Sequence, residues 1–112
     1  AKGVLMSLDE RDLTGKVLLT GQDATLLTCQ DIVRDRQTMT IYKPIKYLAE
    51  SAASFAVQIA RNENGMKTEN TTYNGMIDVP SILFDPILVD KKNLKETIIK
   101  DGYWTEEQVY GN

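Results

Sequence analysis

The sequence predicts an α/β fold with a parallel sheet, and three observations carry that prediction. Two β-like runs, ending at Leu19-Thr20 and Ile41-Tyr42, are each followed by a charged side chain, Asp23 or Lys43, where a helix is due to begin. Beyond each junction, apolar residues recur at three- and four-residue spacing, the period of a helix that lays one face on a sheet. The composition is that of an ordinary globular domain, with 42% hydrophobic and 26% charged residues in 112, enough chain for one core.

The elements follow in order. Val4, Leu5 and Leu8 mark an amphipathic helix that runs to Leu13-Thr14-Gly15, with Gly15 as its cap. Lys16 to Thr20 is a strand, and the unbroken run Val17-Leu18-Leu19 predicts that it is central and covered on both faces. Asp23 is a good N-cap for a helix to Arg34 with Leu26, Cys29 and Val33 inward. Gln37 to Tyr42 is the next strand, alternating Met39 and Ile41 with threonines. Pro44 suits the first position of a long helix to Arg61, because its fixed φ fits and its missing N–H is not needed there. The alanines of that helix allow close approach to a sheet, and Asn64-Gly65 ends it.

Residues 67 to 78 are polar, and Asn74-Gly75 reads as a turn. Asn70-Thr71-Thr72 matches a glycosylation acceptor, a triplet that also arises by chance. Pro80 to Val89 is extended, and Asp85-Pro86 within it predicts an edge or crossover segment rather than a central strand. A helix from Lys92 to Lys100 and an aromatic tail, Tyr103-Trp104, close the chain. This order makes a right-handed βαβ unit the natural core.

Composition also excludes chemistries. Zero histidines remove the Ser/His and Cys/His dyads and the usual zinc clusters, and one cysteine, Cys29, makes no internal disulfide. Cys29 reads as a small buried hydrophobe. Thirteen basic against 16 acidic residues, with no basic block beyond Lys91-Lys92, argue against nucleic acid as a partner. In open α/β sheets ligands sit beyond the carboxyl ends of the strands, so Asp23 and Lys43 are placed to share one polar pocket. The residues alone leave two plainer roles open, a helix N-cap for Asp23 and a solvated surface lysine for Lys43.

Several longer motifs stand in a telling order: Leu13-Thr14-Gly15-Lys16-Val17, Gly21-Gln22-Asp23-Ala24, Gln37 through Ile45, Asp78-Val79-Pro80-Ser81 and Asn93 through Gly102. Together they resemble the carboxy-terminal part of the D-xylose-binding proteins. These are the substrate-binding components of bacterial ABC sugar importers, with the ribose/galactose-type periplasmic-binding-protein fold. The resemblance spans essentially the whole chain. It implies a Rossmann-like doubly wound parallel sheet, the carboxy-terminal lobe of a type I two-lobe binding protein. On that reading residues 1–79 supply most of the sugar-binding lobe, 80–92 the third crossover or hinge, and 93–112 a terminal helix and tail.

The resemblance implies sugar contacts for Asp23 and Lys43, with Gln22 beside them, and hinge positions at Asp85, Pro86, Val89 and Asp90. Asp23 and Lys43 are the same pair reached from the strand ends. It implies no catalytic residues, no metal and no cofactor. The partners it implies are a monosaccharide, D-xylose or a related aldose, and the remainder of the binding protein upstream of Ala1, in the same or a separate chain. An ABC permease or a sensor histidine kinase would receive the loaded form. The location is extracytoplasmic, in the periplasm or as a lipoprotein on a Gram-positive surface. Tyr42, Tyr103 and Trp104 are the candidates for stacking on a sugar ring. Strand alternation points Tyr42 to the core, however, and Tyr103-Trp104 read as anchors of the tail. Three functions are therefore weighed: an importer's sugar-binding protein, the same scaffold acting as a sensor for two-component signalling, and a small α/β enzyme using Asp23 and Lys43 as an acid/base pair.

Overall fold

The computed structural model describes residues 1–61, 68 and 70–111. It divides into two compact units, residues 1–43 with 86–112, and residues 44–85. Both joins fall at a residue followed by proline, Lys43-Pro44 and Asp85-Pro86.

The first unit holds α1 (Lys2–Asp9), β1 (Thr20–Gln22), α2 (Leu26–Val33) and β2 (Met39–Tyr42), then β5 (Ile87–Asp90), a π-helix (Lys95–Ile99) and α4 (Glu106–Tyr110). β1 and β2 pair in parallel with Gly21 opposite Thr40, as the βαβ reading requires, and β5 adds antiparallel with Val89 opposite Thr40. The sheet order β1-β2-β5 makes β2 central and leaves β5 at an edge, the place that Asp85-Pro86 foretold.

Two strand expectations are corrected. β1 begins only at Thr20, because the chain turns after Leu13, whose carbonyl accepts from the N–H groups of both Lys16 and Val17. β1 is an edge strand in this sheet, and Leu18 is 83% exposed rather than covered on both faces. On β2 the fully buried side chains are Thr40 and Tyr42, while Met39 and Ile41 are half-buried.

The end of α1 differs from expectation, while α2 ends at Val33 with Arg34 as its C-cap, as expected. α1 stops at Asp9, and Asp12 (φ +53) carries the left-handed turn that closes it. Asp12 N–H donates to the Asp9 carbonyl at 3.1 Å and Leu13 N–H to the Leu8 carbonyl at 2.9 Å, the paired bonds of a Schellman motif. Asp35 (φ +58) closes α2 with the same two bonds, and Gly102 (φ +68) closes the π-helix likewise. Gly15 is left-handed too, at φ +76, but it lies in the following turn and caps no helix. The N-cap of α2 is Thr25, whose hydroxyl accepts from Thr28 N–H at 3.3 Å, and not Asp23.

The core consists of Ala24, Cys29, Ile32, Tyr42, Val89, Leu94, Ile98 and Val109. Leu26 and Val33, expected inward, pack only partly buried against it, and Ile32 takes the deeper place. Burial pushes the Cys29 thiol up to about 11, in keeping with a small core residue. α4 joins this core through Val109 and is started by a capping box between Thr105 and Gln108. Gln30 Nε2 ties α2 to α4 by donating to the Gln108 carbonyl at 2.8 Å. Arg36 bridges Asp9 and Asp31 at 2.7 and 2.9 Å and so fastens α1 to the turn after α2. A Cβ on Gly21 would lie 2.8 Å from Gln37 Nε2, so a larger residue would have to push that amide from its bond to the Met39 carbonyl.

The second unit holds α3 (Ile45–Ala60) and a hairpin of β3 (Asn70–Tyr73) and β4 (Asp78–Ser81). Pro44 sits at the N-cap of α3, one position before its first residue. No residue of α3 is fully buried, against the expectation of a close-packed alanine face. The Asn74-Gly75 turn forms as expected: Asn74 Oδ1 accepts from Met76 and Ile77 N–H at 2.9 and 3.0 Å, and Gly75 has φ +97. Its flanking strands were not legible, since the polar run Asn70-Thr71-Thr72 carries no alternation. Pro80 is tolerated in β4 because a two-stranded sheet has only edges. Asn64-Gly65 lies outside the described residues.

An aspartate in the left-handed region carries a Cβ penalty that glycine lacks. Asp12→Gly is expected to raise stability by roughly 0.5–1 kcal/mol in urea titrations of the chain, with an unchanged fold by circular dichroism.

Candidate functional site

The chain turns sharply where β1 ends. Asp23 and Ala24 are consecutive non-glycine residues in the left-handed region, at φ +74 and +43, a conformation that disfavours each by about 1–2 kcal/mol. Specific bonds hold it. Asp23 N–H donates to the Ile41 carbonyl at 2.8 Å, which carries the β1–β2 ladder one residue past the strand. Ala24 N–H donates to Thr40 Oγ1 at 3.3 Å. The Ala24 carbonyl accepts from the Trp104 indole Nε1 at 2.9 Å and from the Cys29 thiol at 3.4 Å. Ala24 is wholly buried, while the Asp23 side chain stands out toward solvent.

Lys43 follows the last residue of β2 and reaches Asp23, with Nζ and Oδ1 2.8 Å apart. The two side chains are 49% and 65% exposed, so the pair adds at most about 1 kcal/mol to stability. Its value is chemical. A carboxylate offers about four acceptor positions and an ammonium three donors, so a single Nζ–Oδ1 contact leaves most of both sets for a hydroxylated ligand. Because Thr25 caps α2, the Asp23 carboxylate is also spared that duty.

Other expected positions fall elsewhere. Gln22 is exposed and lines a hollow with Thr25, Leu26, Tyr103 and Trp104. Tyr42 is buried, with its ring centroid 5.1 Å from that of Tyr103, and its hydroxyl is pushed up to about 12 by burial first and by Asp101 next. Trp104 anchors the tail through its bond to Ala24. Asp85 and Pro86 straddle a join between the two units, whereas Val89 is buried in β5 opposite Thr40. Asp90 ends β5, and its Oδ1 accepts from Lys92 and Asn93 N–H at 2.8 and 3.2 Å. Sequence reasoning missed Thr40, a buried hydroxyl in a strand that read as apolar alternation. Among the described residues no group of three or more His, Cys, Asp or Glu side chains is placed to hold a metal ion, and no helix is long and apolar enough to cross a membrane.

Known proteins resemble the chain. No protein-family model matches the chain. Over 110 residues, 98% of the chain, it is 46% identical to the D-xylose-binding periplasmic protein of Haemophilus influenzae. Over 97% of the chain it is 44% identical to the protein of the same name in Escherichia coli. The chain is a relative of the carboxy-terminal third of the D-xylose-binding periplasmic proteins. It spans 33% of the length of each of these relatives. A carbohydrate-transporter solute-binding protein of Chloroflexus aurantiacus, solved with D-glucose, superposes with a TM-score of 0.75 at 31% identity. That match covers 81% of this chain and 26% of the other. The fold is thus that of part of a lobe of the type I periplasmic sugar-binding proteins.

An exposed ion pair makes a further expectation possible. Asp23→Ala and Lys43→Ala are each expected to change the stability of the chain by no more than about 1 kcal/mol in denaturant titrations. A loss of several kcal/mol would show that the pair is structural.

Proposed function

We propose that this chain forms one wall of a cleft that binds a monosaccharide, D-xylose or a related aldose, reversibly and without chemical change. The observation that carries the reading is the pairing of Asp23 and Lys43 at 2.8 Å beyond the carboxyl ends of two adjacent parallel strands, where α/β sheets take their ligands. The carboxylate accepts from neighbouring sugar hydroxyls and the ammonium donates to a hydroxyl or ring oxygen. Each such charge-assisted bond contributes about 1.5–3 kcal/mol. A compound lacking those hydroxyls leaves the charged groups unpaired on closure and is rejected.

The relatives are named as periplasmic binding proteins, and one solved neighbour as a transporter component. From this we infer an extracytoplasmic protein that delivers sugar to an ABC permease. The chain spans a third of the curated relatives' length, so the opposite wall is assigned to sequence outside it. Gln22, the residue before Asp23, is proposed as a further contact beside the pair. Asp85 and Pro86, at the join of the two units, and Val89 and Asp90, in the paired strand beyond it, are the proposed hinge segment, where small dihedral changes let lobes close on sugar.

Calorimetry with D-xylose on the full-length protein that contains this chain tests the proposal. Asp23→Ala and Lys43→Ala are each expected to weaken binding about tenfold or more. The 112-residue chain alone is expected to bind D-xylose far more weakly than the full-length protein. Unchanged affinity in both variants overturns the assignment of the pair, and tight binding by the chain alone overturns the two-wall reading.

A further inference from the structure

We propose that Trp104, acting with Thr40, is a positioning residue for the sugar-binding carboxylate of Asp23; this rests on the function proposed above. The inference starts from the backbone at Asp23-Ala24, where two successive side chains occupy left-handed conformations at φ +74 and +43. A turn of that kind persists only where its surroundings over-determine it. Here they do so at one residue. Both polar groups of the Ala24 backbone are bound to side chains, the N–H to Thr40 Oγ1 at 3.3 Å and the carbonyl to Trp104 Nε1 at 2.9 Å.

The two supports come from distant parts of the chain. Thr40 is wholly buried in the central strand, with Gly21 opposite it on one side and Val89 on the other, so its hydroxyl is fixed by the sheet. Trp104 lies 80 residues beyond Ala24, and its own place is set by Tyr103, whose ring centroid is 5.1 Å away, and by the core beneath. Neither side chain bonds to Asp23. They set the two peptides that follow it, Thr40 the Asp23–Ala24 peptide and Trp104 the Ala24–Thr25 peptide, and hence hold the turn from which its carboxylate leaves the strand end to meet Lys43. If the turn were released, a change of tens of degrees in the Asp23 φ of +74 would swing Oδ1 away from the 2.8 Å contact with Lys43 Nζ, and misplacement on the scale of an ångström weakens a preorganised site markedly.

The test is a double-mutant cycle on the full-length protein, read as D-xylose affinity by calorimetry. Trp104→Phe keeps an aromatic ring but removes the N–H donor together with the indole's second ring, so the Asp23→Ala background separates lost positioning from lost packing. Trp104→Phe is expected to weaken binding about fivefold, the equivalent of one lost hydrogen bond. In an Asp23→Ala background the same change is expected to weaken binding by less than about twofold, because the group it positions is gone. Thr40→Val, which removes the acceptor at constant shape, is expected to act like Trp104→Phe, whereas Thr40→Ser keeps the oxygen and stays close to the native affinity. Equal losses from Trp104→Phe with and without Asp23 overturn the positioning role and leave a general packing effect. Should Trp104→Phe fail to fold, the Thr40→Val and Thr40→Ser pair decides, and equal affinities for these two overturn the proposal. If Asp23→Ala itself leaves affinity unchanged, it is the proposed sugar site that fails.

Discussion

The indole N–H of Trp104 reaches back 80 residues to the carbonyl of Ala24, and much of the first unit is arranged so that this bond is possible. Ala24 has no free backbone polar group: a strand hydroxyl takes its N–H, while an indole and a thiol share its carbonyl. A buried peptide left unsatisfied there would be destabilising by about 1–3 kcal/mol per group. The terminal segment therefore does more than cover the sheet. Ile98, Val109 and Tyr103 bring the tail against the core of α2 and β2, and the tail in turn completes the turn from which Asp23 projects.

The same economy explains the division of labour at the strand ends. Thr25 caps α2 and Thr40 holds the turn, so neutral hydroxyls carry the structural hydrogen bonds while the two charges stay half in solvent. Charges used this way contribute little to folding and are available to a ligand. A hydroxyl suits the buried place of Thr40 because its desolvation is offset by a single partner, whereas a buried carboxylate would need several.

How much of this was legible in the sequence depends on the distance over which each feature is decided. The β1-α2-β2 unit, the start of α3 at Pro44, the Asn74-Gly75 turn and the edge placement after Asp85-Pro86 were readable because periodicity and proline act locally. The end of α1 was not, since Asp12 fills a left-handed position where glycine is the usual signal. α4 was overlooked although Thr105 and Gln108 stand at capping-box spacing, because five residues give no helical period. For the site, Asp23 and Lys43 were found as strand-end residues and through family resemblance. Thr40 escaped because no local pattern marks a threonine whose partner lies across the sheet.

The pairing of Tyr42 with Ile87 has a consequence for how such a chain can change. Everything between these two residues leaves and re-enters the sheet at one point already closed by the β2–β5 ladder, and a proline stands at each threshold. Proline has no backbone N–H, so neither Pro44 nor Pro86 can donate to the ladder. Lengthening or shortening residues 44–85 alters a closed excursion, and its closure entropy grows only with the logarithm of its length. Insertions and deletions can thus accumulate there while the register that aligns Thr40 with Ala24 is preserved.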